Sequence, residues 1–151
     1  MSLLNKTALY TLAQRISTMD EGILFEIVFN DVRIKNEIIR LNTREQLFQK
    51  GIYSDGNSLG EYSPFTVEVK KKKGQRHDHI TLEDTGDFYG SFKVSADRIS
   101  ITIDANPIKD DNNLFDDFGE DILGLTDESR KKLKEMAIVE YTEYWKAHIL
   151  R

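Results

Sequence analysis

The chain of 151 residues contains no cysteine. A disulfide, a thiolate metal site and a cysteine nucleophile are therefore all excluded, and the absence fits a reducing cytoplasm. No run approaches the ~18 apolar residues of a membrane span, and Met1-Ser2-Leu3-Leu4-Asn5-Lys6 has no basic segment leading into a long apolar one, so neither membrane insertion nor export is expected. A Gly-x-Ser-x-Gly elbow and a phosphate loop of the form Gly-x-x-x-x-Gly-Lys-Ser/Thr are also missing, which removes the commonest hydrolase and nucleotide signatures. Internal repeats and flexible linkers are absent. Acidic residues outnumber basic ones, 26 to 21, and the net charge is -5, so the surface as a whole does not attract nucleic acid or anionic lipid. The exception is one basic run, Lys70, Lys71, Lys72 and Lys73.

With 39% hydrophobic residues, a chain of this length suits one globular domain, residues 1–151. Its first third, residues 1–50, reads as mainly helical. Leu4, Ala8, Leu9, Leu12, Ala13 and Ile16 recur at three- and four-residue steps, predicting an amphipathic helix with Asp20-Glu21-Gly22 as its stop. Ile23, Leu24, Ile27, Val28, Val32, Ile38 and Ile39 fit a second helix only in part, and their β-branched content leaves a strand open for some of that stretch. Thr43 followed three residues later by Gln46 is a capping-box pattern, which predicts a short helix over about residues 44–50 closed by Gly51. Residues 91–104 alternate: Phe92, Val94 and Ala96, then Ile99, Ile101 and Ile103, face one way, predicting a β-hairpin with one buried face. Asn106-Pro107 and Asp110-Asp111-Asn112-Asn113 read as a surface loop. Thr126 is placed to cap a C-terminal helix over 126–150, with Asp127 and Glu128 favoured in its first turn and Leu133, Met136, Ala137, Tyr141, Tyr144, Trp145 and Ile149 at helical spacing. The expected class is α+β: N-terminal helices and a C-terminal helix packed on a small antiparallel sheet.

The richest stretch lies between these parts. Ser54-Asp55-Gly56-Asn57 is a β-turn signal; Lys70 to Lys73 and Gly74 follow; then comes Leu82-Glu83-Asp84-Thr85-Gly86-Asp87-Phe88-Tyr89-Gly90-Ser91. Further on stand Phe118-Gly119 and Leu123-Gly124-Leu125-Thr126-Asp127-Glu128. In order and spacing these elements resemble the virion-morphogenesis family of tailed bacteriophages, the tail-completion or neck proteins, and the middle segment is similar to chains from crAss-like phages. The resemblance covers about the last two thirds of the chain, and it departs from the family where Leu59-Gly60-Glu61-Tyr62 replaces a segment with Trp and where 107–113 replaces an Ala-rich one. It implies a strand ending in Leu-x-x-Thr-Gly, with Asp55, Gly56, Leu82, Thr85, Gly86, Phe88 and Ser91 as structural motif residues. It also implies a homo-oligomeric ring between portal and tail proteins, in the virion and, during assembly, in the host cytoplasm.

Glycines at 56, 60, 74, 86 and 90 predict that residues 51–90 project as an extended arm with a basic loop. A cyclic assembly needs two unlike surfaces, and Lys70, Lys71, Lys72 and Lys73 could meet Asp110, Asp111, Asp116, Asp117, Glu120 and Asp121 of the next subunit. The bland alternative is that both runs are solvated faces. His77-Asp78-His79 has metal-like spacing, yet sequence places no third ligand, and no metal or other cofactor is expected. Carboxylates on a loop are not held rigidly enough for a two-metal nuclease. Thr85 is expected to bond a nearby backbone N–H, and Phe88, Tyr89 and Phe92 to fill core. The expected function is a non-enzymatic structural protein of a phage particle, with non-specific contact to phage DNA at most. The alternatives are a nucleic-acid-binding module using the basic run with Arg76, and a small hydrolase or nuclease.

Overall fold

A computed structural model of the chain describes residues 8–149, so Leu4 of the first predicted helix and the last residue of the C-terminal one lie outside the described residues. The order is α1 (Ala8–Ser17), α2 (Glu21–Asn30), α3 (Val32–Arg40), a π-helix (Leu41–Lys50), α4 (Pro64–Lys72), α5 (Asp87–Gly90), β1 (Lys93–Ala96), β2 (Ile101–Asp104), β3 (Ile108–Lys109), β4 (Asn112–Asn113), α6 (Leu114–Phe118), a single 3-10 turn (Glu120–Ile122) and α7 (Asp127–Ile149). The class is α+β, as expected.

Two aspartates punctuate the N-terminal helices. Asp20 Oδ1 accepts from the backbone N–H of Gly22 at 2.9 Å and Ile23 at 3.1 Å, so Asp20-Glu21-Gly22 opens α2 and is more than a stop for α1. Asp31, in extended conformation, ends α2 and caps α3 by accepting from Arg33 N. Residues 23–39 are therefore two helices with no strand. Their apolar residues serve two separate inward faces, Leu24, Val28 and Phe29 on one helix and Ile34 and Ile38 on the other.

The capping box over 43–46 does not form, because no helix begins there. α3 runs directly into a π-helix of 10 residues, in which backbone donors reach five residues back. Thr43 Oγ1 donates to Ile39 O at 2.7 Å, and the Gln46 side chain turns inward. The end of this helix is where the sequence placed it: Gly51 has φ +61° and its N–H donates to Gln46 O.

β1 and β2 pair antiparallel, Lys93 opposite Asp104 and Ala96 opposite Ile101, with Val94 buried. β1 lies against α2 and α3. The expected loop over 106–113 contains a second, minimal hairpin, Ile108 opposite Asn113 and Lys109 opposite Asn112, turned by Asp110 at φ +53°. Short aspartate side chains tolerate that left-handed conformation.

Two buried clusters share the interior. The first joins α2, α3, β1 and α7 around Val28, Ile34, Ile38, Leu41 and Leu133; the second joins the π-helix, the 80–92 segment and α6 around Leu47, Leu82, Phe88, Phe92 and Ile122. Thr126 Oγ1 accepts from Ser129 N at 3.2 Å, capping α7 as its sequence indicates. Among the described residues no helix is long and apolar enough to cross a membrane.

The largest correction concerns residues 51–90. They do not form an extended basic arm. Ser63 Oγ accepts from Thr66 N at 3.2 Å, Pro64 occupies the first turn, and α4 follows, carrying Lys70, Lys71 and Lys72 with Lys73 as its C-cap. The motif residue Leu82 is not on a strand either; its backbone takes φ +58° and its side chain enters the second cluster.

Candidate functional site

The four lysines of the basic run have four different surroundings, because a helix sends consecutive residues about 100° apart. Lys70 turns inward and is only 7% exposed. Its Nζ donates to Glu83 O at 2.7 Å and to Gln75 Oε1 at 3.4 Å, and it stands 4.9 Å from the centre of the Tyr62 ring. It pins α4 to the 80–84 segment and is unavailable to a partner. Lys73 Nζ bonds Asp84 Oδ1 at 2.9 Å, and Lys109 approaches the other oxygen at 3.4 Å. Hydrogen bonds from Lys73 and Gln75, with the nearby charge of Lys109, hold the Asp84 carboxyl far below the usual carboxylate range. Lys71 and Lys72 remain on the surface: Lys71 reaches Glu68 at 3.4 Å, and Lys72 has no ion-pair partner among the described residues.

The acidic residues are also dispersed. Asp110 and Asp111 form the tip of the β3–β4 hairpin, and Asp116 and Asp117 lie on α6; all four are exposed, with no ion-pair partner among the described residues. A cleft of about 620 Å³ between α4, the 80–84 segment and the β3–β4–α6 unit is bordered by Lys70, Lys73, Asp110 and Asp117. Lys71, Lys72, Asp111 and Asp116 do not line it. The two runs that sequence reasoning set against each other across subunits thus partly face one another within one chain.

The motif residues are structural. Asp55 Oδ1 accepts from Asn57 N at 2.8 Å, Gly56 has φ +87°, and the turn is closed by the Ile52–Ser58 bridge. Asp87 N donates weakly to Thr85 Oγ1 at 3.4 Å while the Thr85 hydroxyl donates to Asp87 Oδ2 at 2.6 Å, so Thr85 does hold the turn, with Gly86 at φ +91° before α5. Ser91 Oγ donates to Phe88 O at 2.7 Å and accepts from Asn106 N at 2.9 Å, tying α5 to the end of the hairpin. Phe88, Tyr89 and Phe92 are buried and stack edge-on or tilted, as core residues. The Tyr89 hydroxyl donates to Thr81 O, and burial pushes its pKa well above the usual phenol range. His79 Nε2 contacts Phe48 O at 2.9 Å and His77 Nδ1 contacts Gln75 O at 3.0 Å, so both rings are engaged by backbone. Among the described residues no group of three His, Asp or Glu side chains converges to hold a metal.

Two polar constructions had no sequence signal. On the π-helix, Asn42 and Gln46 are fully buried. Asn42 Nδ2 donates to Ile122 O at 3.0 Å and its Oδ1 accepts from Gly124 N at 2.8 Å; Gln46 Nε2 donates to Gly124 O at 2.9 Å and its Oε1 accepts from Thr126 N at 2.9 Å. Two amides spaced one turn apart thus satisfy four backbone groups of the 122–126 segment leading into α7. Beside them Glu45 accepts from Lys132 and lies near Lys50 and Arg40, which keep its carboxyl below the ordinary range, the Lys132 bond being the largest cause.

The feature that sequence patterning misjudged is a surface. Ile23 and Ile27 of α2 and Tyr144 and Trp145 of α7, expected among the helices' inward faces, are 38–44% exposed. Ile23, Ile27, Met19 and Tyr144 line a groove of about 200 Å³ on one side of α2; Phe25, Ile99, Tyr141 and Trp145 line another on the other side. Ile138 and Val139 are also exposed on α7, Ile16 on α1 and Val32 on α3; the other exposed large apolar side chains among the described residues are Phe65, Ile108 and Ile99, which sits in the β1–β2 turn and not on the hairpin's buried face as its spacing predicts. Isolated exposed apolar residues are ordinary, whereas several gathered along two grooves over α2 and α7 are the kind of patch through which proteins make contacts. No family model, curated protein or solved structure matches the chain.

Proposed function

We propose that the chain is a non-enzymatic structural subunit of a tailed-phage particle, a neck, connector-ring or tail-completion protein that acts by assembling between portal and tail. The phage assignment rests on the order and spacing of its turn, basic and Thr-Gly motifs. The assembly role rests on one observation, the apolar band over α2 and α7. This band replaces the opposed charge runs as the principal contact surface, since Lys70 and Lys73 are already used inside the chain. Association through it should be less sensitive to salt than pairing of two charged loops. The nucleic-acid reading is weakened by the same geometry: only Lys71 and Lys72 of the basic run are left to face phosphate, on a protein of net charge -5.

Purified particles carrying the gene supply the test. Mass spectrometry should detect the chain in washed particles, and antibody-labelled electron microscopy should place it at the neck. Absence from particles that contain their other structural proteins overturns the proposal.

A further inference from the structure

Phe65 is the most exposed aromatic side chain among the described residues, at 78%. It is not on a floppy loop. Pro64 before it fixes the backbone, Ser63 caps the helix through Thr66 N at 3.2 Å, and the Ser63 and Thr66 hydroxyls are 2.9 Å apart, so the ring stands on a braced helix start. A rigidly presented, solvated phenyl ring loses little entropy on docking, which is what an interface anchor requires.

The same chain carries a receptor of matching size. The groove of Met19, Ile23, Leu24, Ile27 and Tyr144 has about 200 Å³, and an apolar cavity of about 150 Å³ is enough to hold one benzene ring. The anchor and the groove belong to different parts of the molecule: Phe65 borders the α4 cleft beside the second buried cluster, the groove overlies the first, and the two share no lining residue. Charge agrees with shape. Lys72, two turns beyond Phe65 on the same stripe of α4, is exposed without an ion-pair partner among the described residues, and Glu26, one turn beyond Ile23 on α2, likewise has none. Asp20 at the groove's edge adds negative charge, balanced in part by Arg98 at 3.1 Å.

We infer that a second copy of this chain occupies the groove, the Phe65 ring of one subunit seated between Ile23, Ile27 and Tyr144 of the next, with Lys72 steered toward Glu26. The inference rests on the assembly reading above and specifies its contact. Such a contact is heterologous, one patch against a different one, and it propagates from copy to copy until it closes.

The absence of native cysteine allows a direct test. Phe65→Cys protein mixed with Ile27→Cys protein and mildly oxidised should give a covalent 1:1 dimer, while either alone should give little. In sedimentation of the full chain, Phe65→Ala and Ile23→Lys should each weaken self-association by about 30-fold or more, as loss of an anchor does. Both positions are substantially exposed, so melting temperatures should stay near the parent's, and an equimolar mixture of the two variants should recover a dimer through its one intact pair of surfaces. Undiminished self-association of both variants, or cross-linking of Phe65→Cys to itself alone, overturns this contact and leaves the assembly role standing. A parent chain that stays monomeric at every concentration overturns the contact as well, and the particle measurement then decides the assembly role separately.

Discussion

Replacing Lys70, Lys71, Lys72 and Lys73 one at a time separates what a basic run does for folding from what it does for partners. Read as a solvated arm, the four should be interchangeable and nearly neutral. The structure makes them unequal. Lys70→Ala removes a charge-assisted hydrogen bond to Glu83 O at 2.7 Å, worth roughly 1.5–3 kcal/mol, and a contact with the Tyr62 ring at 4.9 Å worth about 0.5–2 kcal/mol. It also exposes the surface that the buried stem covered, at about 0.8 kcal/mol for each methylene. Against these stands the cost of keeping an ammonium 7% exposed with no carboxylate bonded to it, which the substitution relieves. The net expectation is a loss of about 2–3 kcal/mol for Lys70→Ala and about 1 kcal/mol for Lys70→Met, which keeps most of the stem. Lys71→Ala and Lys72→Ala should fall within about 0.5 kcal/mol of the parent, because both are exposed and surface ion pairs contribute little.

Urea unfolding followed by circular dichroism at the helical minimum is the assay, with midpoints compared at unchanged slope. If Lys70→Ala unfolds at the same urea concentration as Lys72→Ala, the buried anchor is wrong and the helix α4 with it. The distinction matters for any assembly experiment. A fourfold Lys→Ser variant that fails to assemble proves nothing about contacts if Lys70 alone has loosened the fold, whereas Lys71→Ser with Lys72→Ser tests the surface cleanly.

Gln46→Ala should cost about 2–4 kcal/mol in the same assay, since it strands the buried Thr126 N–H and the Gly124 carbonyl together; a neutral result would mean that water or a shifted backbone replaces the amide. Gly51→Ala should be markedly worse than Gly86→Ala although both have positive φ, because a β-carbon at Gly51 would lie 2.3 Å from His79 Cδ2 while one at Gly86 meets nothing within 4 Å; backbone strain alone predicts about 1–2 kcal/mol at Gly86, and equal losses would refute the packing at Gly51. Stability should fall in acid. The Asp84 carboxyl is held below its ordinary value of 3.8, so its contribution is complete above that pH and is lost as pH drops toward the lower folded value; the difference between parent and Asp84→Asn should therefore be largest near neutral pH and shrink below about pH 3, and a difference independent of pH would show that the Lys73 and Lys109 pairs add nothing.

How much of this was legible depends on whether a residue's signal was local. The caps at Thr126 and Gly51, the Asp55-Gly56 turn and the β1–β2 hairpin were readable because each depends on a few neighbouring residues: a hydroxyl within reach of an N–H, a glycine at positive φ, an alternation of period two. The α4 helix was missed although Ser63-Pro64 is a start signal, because consecutive lysines suggested solvent and the glycines around them suggested an arm. What decided the matter was distant, a carbonyl at Glu83 and a ring at Tyr62 able to satisfy one buried ammonium. The π-helix had no signal either. Asn42 looks like an ordinary surface amide and Gln46 like a capping-box residue until the 122–126 segment, some 80 residues later, arrives to use both ends of each.

The exposed apolar surface proposed for contact was hidden for a related reason. Helical periodicity marks Ile23, Ile27, Tyr144 and Trp145 as apolar but cannot say whether the facing element belongs to the same chain. In a self-contained domain the patterned face and the buried face coincide. Here they separate: Leu24 and Val28 of α2 are covered, while Ile23 and Ile27 one position earlier in each pair are left substantially open. An isolated subunit that retains such open positions carries a free-energy cost for exposed apolar area, about 25 cal/mol for each Å² that could be removed from water. In the proposed assembly that cost is recovered, and the exposed Phe65 ring beside the second cluster is the element assigned to begin recovering it.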